Sequence, residues 1–166
     1  MRSMLDITTK LPNTGSNGRR KLSALRHIVI HHEAVVRTDD KTVDHLKADA
    51  KHHISKGWKR ISYHYCISRS GEVYVLNPLE EIAYHAGNSA YNRNSFGIVL
   101  EGDMSKQRPT SKQVGSLWQL LDEFCTNRPD LPGVTRKTIK THREVRLEPT
   151  TCPSEIIQSL VNAYRV

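Results

Sequence analysis

The sequence predicts a single α/β domain with a central mixed β-sheet flanked by helices. Three observations support this fold class: short apolar runs typical of strands, longer segments with apolar residues at helical spacing, and a mixed order of the two along the chain. A chain of 166 residues is long enough to bury the core of one such domain.

The first part of the chain shows no sustained periodicity. Residues 1–22 carry Gly, Pro, Asn and charged side chains, so we expect a flexible N-terminal segment there and a folded domain over residues 23–166. The first continuous apolar run, residues 28–30, predicts a strand. The sheet is therefore expected to start close to the beginning of the folded domain.

A helix and a hairpin are predicted next. Residues 41–56 have apolar side chains at helical spacing, with candidate N-cap residues at 38–40 and Gly57 at the predicted end. Residues 63–68 and 72–76 are strand-like and flank a Ser-Gly pair, which is typical of a tight turn between antiparallel strands.

The second half of the chain mixes strands and helices in the same way. The predicted elements are a strand over 95–101, a helix over 111–125, a loop over 127–133, a short strand over 138–141 and a helix over 154–164 that follows Pro153. No internal repeat interrupts this order.

Composition and charge limit the classes of function. No apolar run approaches the roughly 18 residues of a membrane helix, and the first twenty residues lack the apolar stretch of a secretory signal. We therefore expect synthesis in the cytoplasm without membrane insertion. If the substrate lies outside the membrane, as a cell wall does, a separate release route is required. The net charge of +8 favours anionic partners but selects none of them.

Two histidines and one cysteine form a candidate metal site. His31 ends an apolar strand, His142 follows another, and Cys152 lies ten positions later. Catalytic zinc sites take three such ligands and keep the fourth position open. On residue type alone, surface histidines and a buried free cysteine are the more common explanation of these residues.

Five segments between Leu25 and the C-terminus carry a more specific pattern. They are Ile-Val-Ile-His-His (28–32), Ile-Ser-Tyr-His-Tyr-Cys-Ile-Ser-Arg-Ser-Gly-Glu-Val-Tyr (61–74), Tyr-His-Ala-Gly (84–87), Tyr-Asn-Arg-Asn-Ser-Phe-Gly-Ile-Val-Leu-Glu-Gly-Asp (91–103), and Thr-His-Arg-Glu-Val with Thr-Thr-Cys-Pro (141–153). In this order they resemble the type-2 N-acetylmuramoyl-L-alanine amidase family, which includes T7-type phage lysozymes and peptidoglycan recognition proteins.

The resemblance implies a zinc amidase domain over residues 23–166. It assigns His31, His142 and Cys152 as ligands of Zn²⁺, with Tyr63 and Thr150 as catalytic residues. His31 is preferred to His32, which is expected to be structural, because neighbours on a strand point to opposite faces of the sheet.

The resemblance also implies a substrate groove lined by His85, Asn92 and Asn94, although the same residues are ordinary in a turn-rich loop. One departure from the family pattern is the longer gap between His142 and Cys152. This gap contains Glu148, which remains open as an alternative ligand or general base.

The function implied is zinc-dependent hydrolysis of the amide bond between the muramic acid lactyl group and L-alanine of peptidoglycan, in a bacteriolytic endolysin of the phage type. We expect a monomer whose partner is peptidoglycan and which has no specific nucleic-acid target.

Three alternatives remain at this point. One is a metal-free cysteine hydrolase, with Cys152 as nucleophile and His31 or His142 as base. Another is a non-catalytic module that binds peptidoglycan, although such proteins usually lack the metal-binding cysteine. The third is a nucleic-acid-binding protein, suggested by the net charge and by the basic residues 19–21, although no recognised binding motif accompanies them.

Overall fold

A six-stranded β-sheet with helices on both faces forms the centre of the computed structural model, which describes residues 3–166. The strands are β1 (Leu5–Asp6), β2 (His27–His32), β3 (Tyr65–Ile67), β4 (Val73–Val75), β5 (Ser95–Leu100) and β6 (Ile139–Thr141). The α-helices are α1 (Thr42–Ser55), α2 (Ser89–Asn94), α3 (Ser111–Thr126), α4 (His142–Val145) and α5 (Glu155–Arg165). The predicted α/β class with a central mixed sheet is confirmed.

The strand order β1-β4-β3-β5-β2-β6 makes β2 an inner strand of a largely parallel sheet. β3 and β4 are the one antiparallel pair among the described strands, and they form the predicted hairpin. β2 pairs with β5 from His27 to His32, and its other edge pairs with β6. Because the carboxyl ends of parallel strands meet at one edge, the residues that follow β2 and β6 come together.

Two apolar layers hold the helices to the sheet. On one face, α3 and α5 cover buried residues of the inner strands, while α1 packs on the other face. The first layer includes Ile28, Ile30, Phe96, Ile98, Leu117, Phe124 and Ile157, and the second includes Leu46, Ala50, Ile61, Cys66 and Val99. Burial on both faces explains the continuous apolar run in β5. Each large side chain so buried contributes about 1.5–3 kcal/mol before the entropy cost of ordering it.

Most predicted elements are found within one or two residues of their expected bounds. Helix α1 differs at its start, because Lys41 occupies the N-cap position and no side chain of the predicted residues 38–40 caps the helix. Helix α2 lies where the sequence predicts a loop, with the Asn88 side chain accepting a hydrogen bond from the Ala90 N–H. Its six residues are too few to show a helical period. None of the helices between Ser3 and Val166 is long and apolar enough to cross a membrane.

The N-terminal segment corrects one prediction. Residues 3–22 were expected to be flexible, but β1 pairs with β4, and the Ile7 and Leu11 side chains are buried against the α1 face of the sheet. The segment shows no helical or strand period because its regular elements are only 2 or 3 residues long. Met1 and Arg2 lie outside the described residues.

A buried carboxylate, Glu81, fastens this segment to the loop that precedes α2. Only 2% of Glu81 is exposed, and its carboxylate accepts hydrogen bonds from the Ser16 hydroxyl and from the Asn17 N–H. The Arg60 guanidinium lies 3.4 Å from the same carboxylate. The segment therefore belongs to the fold of the domain.

We expect Glu81→Ala to lower the free energy of unfolding by about 3 kcal/mol, because it removes a buried charge partner and leaves Arg60 without compensation. Chemical denaturation measures this change. Glu148→Ala is the matched control, since Glu148 is exposed, and it should leave stability unchanged. Equal stability of the two variants would contradict the anchoring role of Glu81.

Candidate metal centre

Three side chains that are distant in sequence converge at the carboxyl edge of β2 and β6. His31 lies near the end of β2, His142 begins α4 directly after β6, and Cys152 lies in the loop before α5. One ligand atom from each lies within 4.8 Å of the other two. The His31 Nδ1 is 3.9 Å from the Cys152 Sγ, close to the roughly 3.5 Å between two ligand atoms of a tetrahedral zinc ion.

His31 and His32 point in opposite directions, as strand alternation predicts. His31 shares its face with Val29, whereas the His32 Nδ1 accepts a hydrogen bond from the Met104 N–H on the other side. The backbone N–H of His32 faces the Cys152 Sγ at 3.5 Å. His32 thus supports the site through its backbone while its ring is held in the core.

The ring of His142 is oriented toward the centre of the cluster. The Ala86 backbone offers an acceptor to the ring, and the ring Nε2 is buried without a hydrogen-bond partner. A buried nitrogen without a partner costs roughly 1–3 kcal/mol unless something else binds it. A metal ion at this position would satisfy it, so the donor set fits a zinc ion.

Burial sets the protonation of the three groups. It lowers the pKa of His31 well below its ordinary value and lowers the pKa of His142 to about 4, so that both rings are neutral at physiological pH. Neutral imidazole is the form that binds metal. Burial also raises the pKa of the Cys152 thiol to about 12, and a bound cation is the kind of partner that converts such a thiol to thiolate.

Tyr63 lies beside the metal ligands, just before β3. Its ring centroid is 5.2 Å from that of His31, and the Asn77 side-chain amide donates to its backbone carbonyl at 2.7 Å. Burial raises the pKa of Tyr63, with Cys152 the next largest cause. Its hydroxyl therefore stays protonated and able to donate, and it has no hydrogen-bond partner within residues 3–166.

Thr150 is placed in the loop that carries Cys152. Its hydroxyl oxygen accepts a hydrogen bond from the Cys152 N–H at 3.2 Å. This bond holds the loop in position and leaves the hydroxyl hydrogen free to donate. Glu148, the alternative ligand, is exposed and does not belong to the cluster of ligand atoms found among the described residues.

The three predicted substrate-binding residues occupy different environments. His85 is only 4% exposed and lies behind His31, which does not suit direct contact with a large polymer. The Asn92 Oδ1 accepts from the Ala86 N–H, and Asn92 also lines a surface cavity of about 430 Å³. The Asn94 Oδ1 is buried and has no partner. Only Asn92 therefore has access to a groove.

Sequence reasoning missed two contributions to the site. The Ala86 carbonyl that orients His142 leaves no trace in the sequence, because every residue has a carbonyl. His53 packs its ring 5.9 Å from Tyr63, and its Nδ1 accepts from the Ser62 N–H. Its spacing after Leu46 and Ala50 places it on the inward face of α1, which is a signal that was available.

The chain is similar in sequence to a family of amidases and to several known proteins. The model of the N-acetylmuramoyl-L-alanine amidase family matches residues 21–155. The endolysin of Enterobacteria phage K11 is 29% identical over 114 residues, which cover 66% of this chain and 69% of that protein. Peptidoglycan-recognition protein LB of Drosophila melanogaster is 29% identical over 99 residues, or 57% of this chain, and the match spans only 42% of its length.

A solved structure shares the fold over the whole chain. N-acetylmuramoyl-L-alanine amidase LysC from Clostridium intestinale superposes with a TM-score of 0.75 at 21% identity, covering 100% of this chain and 99% of that one. At this level of identity the likeness concerns the fold alone. Since the family model covers most of the sequence, the chain belongs to the N-acetylmuramoyl-L-alanine amidase family, and the resemblance seen in its motifs is confirmed.

Proposed function

We propose that the chain is a zinc-dependent amidase that hydrolyses the bond between the lactyl group of muramic acid and L-alanine in peptidoglycan. The observation that carries the proposal is the cluster of His31, His142 and Cys152, in which the buried His142 Nε2 has no protein partner. Membership of the amidase family supplies the substrate class. The three ligands lie within the proposed zinc amidase domain, residues 23–166.

The reaction adds water to the lactyl carbonyl and breaks its C–N bond, which releases a lactyl carboxylate and the amino group of L-alanine. Bound by the three ligands, zinc supplies a Lewis acid for the carbonyl and lowers the pKa of water toward about 7. The two neutral rings and the thiolate would hold the ion at the carboxyl edge of the sheet.

Tyr63 is the proposed donor to the carbonyl oxygen as negative charge develops there. Its ring lies against that of His31, its hydroxyl is not engaged elsewhere, and its raised pKa keeps it protonated. Such a donor is worth about 3–4 kcal/mol in the transition state. The Thr150 hydroxyl, held by the Cys152 N–H, is proposed as a weaker second donor.

The hypotheses of a cysteine hydrolase and of a non-catalytic peptidoglycan-binding module fit the structure less well. A cysteine hydrolase needs an ion pair between thiolate and imidazolium, but burial favours the neutral thiol of Cys152 and the neutral ring of His31. A pure peptidoglycan-binding module has no use for a complete set of three ligands. The likeness to a phage endolysin supports a bacteriolytic role with peptidoglycan as the partner. We further propose that the enzyme is a monomer.

Mass spectrometry of purified peptidoglycan after incubation with the protein tests the reaction. We expect soluble peptides that begin with L-alanine, their loss after chelator treatment, and their return when Zn²⁺ is added. Release that resists chelation would support the cysteine hydrolase instead. Intact peptidoglycan that retains the protein would support the binding module.

We expect Cys152→Ser to reduce bound zinc from about one ion per chain to almost none, because a serine hydroxyl does not ionise at neutral pH and is a poor zinc ligand. Elemental analysis of the purified variant measures this. Cys125→Ser is the control, since Cys125 lies on α3 and contacts the opposite apolar layer. Full zinc content in the Cys152 variant would contradict the ligand set.

We expect Tyr63→Phe to keep its zinc and to lower kcat by about 100- to 1000-fold, because one hydrogen bond to the developing oxyanion is lost. Steady-state kinetics on a soluble muropeptide, with zinc analysis of the same sample, measures both quantities. Tyr74→Phe is the control, because Tyr74 lies on β4 and its hydroxyl donates to the Glu72 carboxylate, away from the cluster. Parent-like kcat in Tyr63→Phe would remove its assigned role.

A further inference from the structure

His85 forms a direct hydrogen bond with a proposed metal ligand. Its Nδ1 lies 3.0 Å from the His31 Nε2, and the two rings meet edge to face at 84°. The His31 Nδ1, on the other side of the same ring, faces the Cys152 Sγ. His31 is thus held between the candidate metal position and His85.

The hydrogen bonds of Ser95 determine which ring nitrogen of His85 carries a hydrogen. The Ser95 hydroxyl donates to the Tyr91 carbonyl, which can only accept, so the Ser95 oxygen is free to accept from the His85 Nε2–H at 3.3 Å. The backbone of Ser95 also offers an acceptor to the His85 ring. Nε2 of His85 therefore carries the hydrogen, and its Nδ1 is an acceptor.

This direction determines the tautomer of His31. A neutral imidazole has one donor and one acceptor nitrogen, and an acceptor at the His85 Nδ1 requires the hydrogen of His31 to be on Nε2. The lone pair of His31 is then on Nδ1, which is the nitrogen that faces Cys152. The ring is prepared for a metal ion before one binds.

Gly97 makes room for this arrangement. It lies opposite Val29 in the pairing of β5 with β2, and a Cβ at Gly97 would lie 2.9 Å from the His85 Cγ and 3.0 Å from its Nδ1. Any other residue at this position would push the His85 ring away from His31. The sheet therefore contains a gap that matches the imidazole.

We propose that His85 is a positioning residue that selects the metal-binding tautomer of His31, seated by the absence of a side chain at Gly97. The inference rests on the proposed zinc-dependent function and goes further by giving His85 a role other than substrate contact. Partners of this kind typically change metal affinity or activity by about 10- to 100-fold.

The test compares His85→Leu with His85→Asn. Leucine fills the space without an acceptor, whereas the Asn Oδ1 can occupy the position of the His85 Nδ1; both variants lose the bond to Ser95. Nitrogen NMR of the metal-free proteins should show the Nε2–H tautomer of His31 in the parent and in His85→Asn, and a mixture in His85→Leu. Thermal melting of the metal-free proteins checks that all three are folded.

Zinc affinity, measured by competition with a chelator, is the second readout. We expect His85→Leu to bind zinc about 10- to 100-fold more weakly than the parent, with His85→Asn close to the parent and an unchanged KM in all three. Gly97→Ala, which retains His85 but displaces it, should weaken zinc binding as well. This variant keeps the proposal testable if His85→Leu does not fold.

The outcomes separate the two proposals. Parent-like zinc affinity and an unchanged His31 tautomer in His85→Leu would overturn the positioning role while the zinc function stands. A raised KM with unchanged zinc affinity would also overturn it and assign His85 to substrate binding. A parent protein that binds no zinc would overturn the proposed function and the inference together.

Discussion

The pairing of β2 with β5 and β6 sets the positions of the two histidines of the proposed metal site. The parallel register to β6 brings the residue after β6, His142, beside the end of β2. The register to β5 places Gly97 opposite Val29, which lies two residues before His31 on the same face of β2. A shift of one residue in either pairing would turn His31 into the opposite face of the sheet. The site therefore depends on a register that the apolar layers on both faces enforce.

The buried side chains of His31, His85 and Ser95 form a polar cluster that is costly in folding free energy. Imidazole and hydroxyl groups out of water destabilise a fold unless each finds a partner. Here the ring nitrogens of His85 and the Nε2 of His31 are hydrogen-bonded, whereas the buried His142 Nε2 and Asn94 Oδ1 have no partner. The fold thus tolerates these buried groups by completing most of their hydrogen bonds, and the unpaired His142 Nε2 belongs to a proposed metal ligand.

The N-terminal segment connects the fold to the site through the loop that carries His85 and Ala86. Glu81 holds residues 16 and 17 to this loop, and the Arg20 guanidinium donates to the carbonyls of Leu79 and Asn92 on either side of it. The loop that supplies acceptors to two proposed ligands is therefore braced from outside the region that the family model matches. Rigidity of this loop is what permits a hydrogen bond to orient a metal ligand.

The fold class, the longer helices and the inner strands follow from the amino-acid sequence alone, because apolar periodicity shows which face of each element is buried. The sequence also separated His31 from His32, since alternation along a strand is a local property. The groups behind the ligands are visible only in the folded chain. His85, which the sequence predicts to line a groove, packs behind His31, and the Ala86 backbone offers an acceptor to His142. These contacts join residues more than fifty positions apart through backbone groups and a missing side chain, which no local pattern encodes.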